Sequence, residues 1–552
     1  MFRKRDAQRH LFQTSNLVPP KKAQRLQASW AEVFRSRALP LIDEALFAPL
    51  YCADNGRPNR AVQTVFGVLL LKDMFDLTDE QALEQLEFSL LWHHALELTP
   101  DEAHLPQKTL HNFRAGLMAH ALERLAFAQI TDRILAALGT QVSRQRLDST
   151  HVLSHIAVLT RLGLLCETMR LFLARLQQAH PRLYGRVPEE LRGRYIKEDG
   201  QASGYQDARS GEGRRRLAVC ARDLYRLCTL LADTAAASLE EYGLLQRLLR
   251  EQCDVVDRPQ PPADDDDDQG EGAVPVVLKD PKEVKGSSLQ SPHDPDVTYN
   301  AHKGKGFAVQ VAETCHADNA VEIITHVAVT DACGSDGEAT LPTLEALQGR
   351  GQQPQELVAD TAYGSGENAV AAQALGTELV SPVGGSAPPA QVGPAAAVTA
   401  ADFVVDVRGE DPAICPAGHL SLAQTSLPGR RPQVQVTFER CACEGCGARG
   451  GCPVRLNAAQ DGYTLRLDLV AANLEQRRRA AASGQFHARY AIRAGSEATN
   501  SELKRVHGLG HLRVRGRPRV VLAVHLKVLA CNVRRFVRAL LPGACGAAPA
   551  MA

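Results

Sequence analysis

One stretch near the carboxyl end of this 552-residue chain decides how the rest is interpreted. It reads Tyr490-Ala491-Ile492-Arg493-Ala494-Gly495-Ser496-Glu497, and Lys504 follows after six more residues. On a regular helix, which advances about 100° per residue, Tyr490, Arg493, Glu497 and Lys504 share an arc of about 60°. The spacing therefore predicts one helix face that carries a tyrosine, two cations and a carboxylate. It is also typical of a solvated face on which Arg493 and Glu497 pair four residues apart.

Two aspartates upstream lie in short runs that favour β-strands. Asp148 lies within Arg146-Leu147-Asp148-Ser149-Thr150-His151-Val152-Leu153, which is rich in β-branched residues. Asp360 follows the apolar run Leu357-Val358-Ala359. We expect each aspartate at or beside a strand end, a place where an Asp alone is usually a turn former.

These segments, in this order, resemble the DDE transposases of bacterial insertion sequences. The tetrad matches the Y-R-E-K signature around that family's catalytic glutamate. Residues 148–150 resemble its first-aspartate strand and residues 359–365 its second. The segment 507–516 is similar to its basic segment, and the cysteines at 441–452 suit the branch with a Cys-rich insertion before the glutamate.

The resemblance implies an α/β fold with an RNase H-like catalytic core, a mixed sheet flanked by helices. A helical insertion and a Cys-rich insertion would interrupt this core, and an all-α domain would precede it. We divide the chain into a helical, DNA-binding N-terminal domain (1–135), the first core strand (143–157), a helical insertion (158–253), an acidic Pro/Gly linker (254–290), the continued core (291–370), an insertion with the Cys cluster (371–473), the glutamate helix with basic helices (474–540) and a disordered tail (541–552).

The resemblance also implies the chemistry. Asp148, Asp360 and Glu497 would be catalytic and would hold two Mg²⁺ or Mn²⁺ ions about 3.5–4 Å apart, with Asp148 bridging them. Arg493 and Lys504 would contact phosphate. The remaining expected DNA-binding residues are Tyr490, Arg513 and Arg515.

The expected function is cleavage and strand transfer of DNA at the ends of an insertion sequence. Two alternatives stay open at this stage: a metal-dependent DNA nuclease with the same triad, and a catalytically inert, transposase-derived DNA-binding regulator. The expected partners are double-stranded element ends and target DNA, and a homo-oligomer fits work on paired ends.

Four cysteines predict a metal site apart from the carboxylates. Cys443 and Cys446 form a C-x2-C pair, Cys452 follows, and Cys415 could supply a fourth ligand for tetrahedral, structural Zn²⁺. Cys441 or His419 could replace one of them. The alternative is a loop with reduced thiols.

The N-terminal region contains a helix-start signal. Thr78 and Gln81 fit a capping box, and an apolar segment at about 61–74 precedes it. The pair predicts either a helix-turn-helix DNA module or a plain helical hairpin.

The net charge of zero, from 63 basic and 63 acidic residues, hides strong local charge. Residues 477–552 contain fifteen Lys and Arg against Glu497 and Glu502, whereas five adjacent aspartates occupy 264–268. Because fields in salt solution act over about 8–10 Å, a DNA partner senses the basic region and not the total. The chain shows no secretory signal or membrane-spanning run, which predicts a cytoplasmic protein at the bacterial nucleoid.

Overall fold

The protein is mixed α/β, with helices packed around a curled mixed sheet. The computed structural model describes residues 1–5, 16–52, 59–197, 199–207, 210–256, 275–384 and 398–541. The aspartate run at 264–268 and the tail from residue 542 lie outside the described residues. Among the helices that are described, none has both the length and the apolar character needed to span a bilayer.

The amino-terminal region is helical. Its helices are α1 (Pro20–Gln27), α2 (Trp30–Val33), α3 (Val62–Met74), α4 (Asp79–Phe88), α5 (Leu90–Leu96), α6 (Gln107–Ala119) and α7 (Leu122–Leu138). Helix α3 is buried along nearly its whole length, because its residues are mostly apolar on every side. The capping box before α4 is confirmed: the Gln81 amide donates to Thr78 Oγ1 at 3.2 Å, and the Thr78 amide donates to Gln81 Oε1 at 2.9 Å.

A strand, β1 (Arg144–Val152), follows α7, and a second group of helices follows β1. This group is made of α8 (Arg161–Ala179), α9 (Pro181–Tyr184), α10 (Glu189–Tyr195), α11 (Ser210–Leu231) and α12 (Glu240–Gln252), after which β2 (Cys253–Val255) and β3 (Val276–Leu278) pair antiparallel. Leu165, Phe172, Leu224 and Leu231 of these helices are fully buried. They belong to a hydrophobic core that this group of helices forms on its own.

The main sheet is completed by later parts of the chain. Its further strands are β4 (Thr298–Asn300), β5 (Gly304–Thr314), β6 (Ile324–Asp331), β7 (Glu356–Ala359) and β8 (Glu378–Val380), with helices α13 (Thr340–Gln348) and α14 (Gly366–Ala374) between them. The strand order is β4-β5-β1-β7-β8, and β6 also pairs with β5. Strand β1 is therefore central, with β5 antiparallel on one side and β7 parallel on the other.

A smaller antiparallel sheet precedes the last helices. It has the order β11-β12-β10-β9 and is built from β9 (Ala423–Leu427), β10 (Gln433–Glu439), β11 (Arg455–Leu456) and β12 (Gly462–Asp468), with α15 (Arg440–Glu444) after β10. Alternating residues of β10, namely Val434, Val436 and Phe438, are buried. They form its small core together with residues such as Leu467.

The chain ends in α16 (Leu469–Ala481), α17 (Gly484–Tyr490), α18 (Gly495–Arg505) and α19 (Arg517–Ala539). The prediction of one regular helix through Tyr490 and Lys504 is wrong in one respect, because a 3₁₀ turn, Ala491–Ala494, separates α17 from α18. A 3₁₀ turn advances about 120° per residue, so Tyr490 leaves the arc expected from a uniform helix.

Helix α19 joins the amino-terminal helices to the main sheet. It contacts α3, α7 and β6. The side chain of Asn532 on α19 is fully buried and bonds both backbone groups of Ile324, accepting at 2.9 Å and donating at 2.7 Å. This pairing fixes the position of α19 against the edge of the sheet.

Candidate active site

Asp148 and Asp360 lie next to each other because β1 and β7 run parallel. The register pairs Leu147 with Ala359, so the two aspartates follow at the same level. They also point to the same face, since side chains alternate along paired strands. Asp360 comes directly after β7, as predicted. Asp148 instead lies in the middle of β1, which continues to Val152 alongside β5.

A guanidinium group bridges the two carboxylates. Arg493 Nη2 lies 3.3 Å from Asp148 Oδ1 and 3.6 Å from Asp360 Oδ2. The Asp148 side chain is only 12% exposed, whereas that of Asp360 is 34% exposed. Burial raises the pKa of Asp148, and the positive charge of Arg493 opposes this shift. The structure thus brings three of the predicted residues together.

Two residues of α18 that sequence reasoning did not single out also hold Asp148. Ser496 Oγ donates to Asp148 Oδ2 at 3.0 Å, and Asn500 Nδ2 donates to the same oxygen at 3.2 Å. They are four residues apart, so both project from one side of the helix toward β1. Their spacing of three and seven residues from Arg493 is the sequence signal that could have identified them.

Glu497 lies on α18 beside Ser496, about 100° further round the helix. Its side chain is exposed, and it forms no hydrogen bond or ion pair with any residue that the structure describes. The structure therefore places Glu497 on the helix that covers Asp148, but it does not show Glu497 in contact with either aspartate.

Tyr490 ends α17 close to the carboxylates. Its ring is stacked on that of Phe486, with 5.7 Å between centroids and 8° between planes. Burial raises the pKa of Tyr490, and nearby Arg493 opposes this shift. Its helix is anchored by Arg489, which donates to Glu356 of β7 and Glu378 of β8 at 2.7 Å each. The tyrosine is consequently held beside the ends of these strands.

Lys504 lies near a second lysine at the other end of α18. Burial lowers the pKa of Lys504, and the positive charge of Lys303 lowers it further. Lys303 Nζ donates to Ser149 Oγ at 3.1 Å and lies 3.8 Å from an Asp336 carboxylate oxygen. The site therefore has cations next to β1 as well as carboxylates.

Arg513 and Arg515 are exposed and lie in the loop between α18 and α19. Arg513 forms an ion pair of 3.2 Å with Asp76 and donates to the Leu77 carbonyl at 3.0 Å. Asp76 lies in the turn between α3 and α4 and has a left-handed backbone, with φ of 49°. Arg513 thus holds an amino-terminal turn against the loop, a contact that no sequence pattern indicated.

A buried ion network fixes α18 to the sheet. Arg146 Nε donates to Glu313 at 2.8 Å, and its Nη1 donates to the Ile492 carbonyl at 3.0 Å. Glu313 also accepts from Thr499 of α18 at 2.7 Å and from Arg535 of α19 at 3.2 Å. Because each buried charge has a partner, the network is compatible with the apolar interior and sets the height of α18 above Asp148.

The four predicted zinc ligands lie near one another at the small sheet, but among the described residues they do not form a group whose ligand atoms all lie within 4.8 Å. Burial raises the pKa of Cys443, and the nearby thiols of Cys452, Cys415 and Cys446 raise it further. Cys415 lies in a tight turn, where its sulfur accepts from the His419 amide at 3.3 Å. The fold of β9 to β12 places these cysteines near one another although they are up to 37 residues apart in the sequence.

A different group of possible metal ligands lies at the base of α19. Atoms of Glu502, His507 and Cys531 lie within 4.8 Å of one another. Arg535 already donates to Glu502 at 2.8 Å, and His507 Nδ1 bonds the Asp73 carbonyl at 2.9 Å. Because Glu502 and His507 already have partners within the protein, we interpret this cluster as part of the core.

Two family models match the chain. Residues 24–116 match a transposase domain (DUF772), which includes α3 to α5 and most of α6. Residues 414–537 match a transposase DDE domain, which includes the cysteine cluster, α18 and most of α19. No curated protein and no solved structure matches the chain. Transposase domains are thus matched near both ends of the chain, one of them of the DDE type, and together they support a DDE transposase of an insertion sequence.

Proposed function

We propose that this transposase cuts DNA at the ends of its insertion sequence and joins the freed 3′ ends to target DNA. The observation that carries the proposal is the pair Asp148 and Asp360 on adjacent parallel strands, with Arg493 of α18 across both carboxylates. Because the protein would act on two paired ends of its element, we also expect it to form a homo-oligomer on the DNA of the nucleoid.

The strand arrangement supports an RNase H-like core for this chemistry. Three neighbouring strands of the sheet, β1, β5 and β6, pair antiparallel, and β7 and β8 then add parallel on the other side of β1. In that architecture the first aspartate lies on the central strand and the second follows its parallel neighbour, as Asp148 and Asp360 do here.

The donor set suits divalent cations such as Mg²⁺ or Mn²⁺. Asp148 and Asp360 offer adjacent carboxylate oxygens, the hard ligands that Mg²⁺ prefers, and Glu497 is an exposed carboxylate on the covering helix. We assign the holding of two ions to these three residues. Such ions, when bound, activate the attacking hydroxyl group and stabilise the leaving 3′ oxygen.

The protein's own side chains would orient the DNA. Arg493 and Lys504 suit phosphate contacts, Arg493 as a planar fork and Lys504 as a point charge. Ser496 and Asn500 hold the Asp148 carboxylate in one orientation. Tyr490, stacked on Phe486, offers a hydroxyl group and an aromatic face beside the carboxylates.

We also propose that Cys415, Cys443, Cys446 and Cys452 hold one structural Zn²⁺. The proximity of the other three thiols to Cys443 supports this, and so does the small core around β10, which has few apolar residues to stabilise it alone. Tetrahedral thiolate ligation is typical of such sites.

The proposed reaction is tested by incubating the purified protein and Mg²⁺ with labelled duplexes from the two sides of the gene and with an unlabelled target plasmid. We expect nicked end duplexes and a larger product in which end and target are joined. Cutting without any joined product would support the nuclease alternative. No cutting at all would contradict the catalytic proposal.

A further inference from the structure

Helix α6 presents a continuous polar face to solvent. Its exposed residues fall within about 140° of arc at 100° per residue: they are Gln107, Lys108, His111, Asn112, Ala115 and Ala119. The opposite side is buried through Leu110, Phe113 and Leu117. The helix is thus half embedded, with one face available to a partner.

The polar side chains on this face are unoccupied. Gln107, Lys108, His111 and Asn112 form no hydrogen bond or ion pair with any part of the chain that the structure describes. Arg114, which lies off this face, behaves differently: its Nη1 donates to Asp79 at 2.9 Å. Free amide, imidazole and ammonium donors along one face are the groups that read base edges in the major groove.

Helix α4, which the ion pair of Arg114 with Asp79 connects to α6, has the opposite charge. Its solvent side carries Glu80, Glu84 and Glu87, beside Phe88 with 74% exposure. Residues 79–88 contain no Lys or Arg, so this side would be repelled by DNA phosphates. The α6 face contains Lys108 and no acidic residue. Charge complementarity therefore favours DNA at α6 and disfavours it at α4.

Helix α6 is held rigidly, as a reading helix must be. The ion pair of Arg114 with Asp79 connects α6 to the start of α4. Gly116 permits close packing, because a Cβ atom there would lie 2.8 Å from Leu50 Cδ2. Its length of 13 residues corresponds to about 20 Å, and the major groove, about 12 Å wide, accepts such a helix.

We propose that α6 enters the major groove of the element's terminal DNA and reads its sequence. Gln107 and Asn112 suit adenine, Lys108 suits guanine, and the small side chain of Ala115 allows close approach to a thymine methyl group. This inference rests on the proposed function, since it supplies the recognition step that precedes cutting.

Fluorescence anisotropy in buffer without Mg²⁺ or Mn²⁺ tests the proposal without any cutting. The probes are a labelled duplex from the edge of the element and a scrambled duplex of equal composition. For Gln107→Ala and Asn112→Ala we expect the preference for the end duplex to fall about tenfold each, with affinity for the scrambled duplex within about twofold. Gln85→Ala, which removes an exposed amide of α4, is the matched control and should leave the preference unchanged.

The inference is overturned by a wild-type protein with no preference for the end duplex. It is also overturned if Gln107→Ala and Asn112→Ala keep the full preference, whatever Gln85→Ala does. Unchanged circular dichroism would show that all variants are folded. A protein that prefers its end duplex but never cuts it with Mg²⁺ contradicts the proposed function alone. A protein that cuts, and whose α6 variants keep full preference, contradicts this inference alone.

Discussion

Arg493 Nη2 lies 3.3 Å from Asp148 and 3.6 Å from Asp360, so a single guanidinium group contacts two neighbouring carboxylates. The arrangement joins β1, β7 and α18 at one point. It also opposes the effect of burial, which raises the pKa of Asp148. We therefore expect both the reactivity and the local geometry of the site to depend on Arg493.

Replacement of Arg493 tests this dependence. For Arg493→Gln we expect cutting of end duplexes to fall about 10²-fold, because a preorganised cation beside the reacting phosphate is lost. The acid side of the activity profile should also move to higher pH, since the pKa of Asp148 is no longer lowered by that charge. Arg493→Lys should recover part of the activity.

Arg505→Gln is the control for the Arg493 variants, because it removes an exposed cation from the same helix. Cutting by Arg493→Gln at the level of this control would contradict the role of Arg493.

Gly495 tests whether α18 must approach β1 closely. A Cβ atom at this position would collide with the Arg146 guanidinium group, which is held between Glu313 and the Ile492 carbonyl. Gly495→Ala should therefore lower the free energy of unfolding by about 1–3 kcal/mol, as overpacking does. Urea unfolding followed by circular dichroism measures it. Gly484→Ala, where no atom lies within 4 Å of the new Cβ, should be tolerated.

Buried histidines make the protein sensitive to mild acid. Burial lowers the pKa of His507 and of His525 to about 4, whereas an unfolded histidine titrates near 6.5. Between these values the unfolded chain binds more protons than the folded one, so stability falls as the pH decreases from about 6.5 to about 4. Thermal unfolding temperatures measured at pH 7.5 and pH 5 should show this loss.

The histidine prediction has its own control pair. His525→Gln should reduce the difference in unfolding temperature between the two pH values, whereas replacement of the exposed His120 by Gln should not. An equal difference in all three proteins would show that other groups cause the acid sensitivity.

Metal analysis tests the cysteine cluster. We expect about one zinc per chain in protein purified without chelator. Cys443→Ser should lose this zinc and become sensitive to protease within the small sheet, because the ligands join separate loops of that unit. Cys52→Ser, which removes an exposed thiol far from the cluster in the sequence, should keep the zinc. A zinc-free wild type, or full zinc in Cys443→Ser, would contradict the proposal.

Sequence patterns predicted the parts of the site that depend on local structure. The β-branched run around Asp148 and the apolar run before Asp360 both formed strands, and the capping box at Thr78 marked the start of α4. The convergence of Asp148, Asp360 and Arg493 followed from the family resemblance and not from the runs themselves.

Other contacts could not be predicted, because they join distant segments. Ser496 bonds Asp148 across 348 residues and Arg513 bonds Asp76 across 437, and neither pairing has a local pattern. The 3₁₀ turn Ala491–Ala494 moves Tyr490 off the helix face predicted from the spacing. Within this turn the Ile492 carbonyl accepts a hydrogen bond from Arg146, which is distant in the sequence. Tertiary contacts thus overrode the regular helix that the spacing favoured.

Glu497 offers the most direct test of the central claim, that Asp148, Asp360 and Glu497 form one catalytic set. The measurement is Mg²⁺-dependent cutting and joining of end duplexes by Glu497→Gln, compared with Glu240→Gln, which alters an exposed carboxylate of α12. We predict that Glu497→Gln loses both products by at least about 10³-fold while it binds the end duplex normally, and that Glu240→Gln matches the wild type. Cutting and joining by Glu497→Gln at the wild-type rate would contradict the claim.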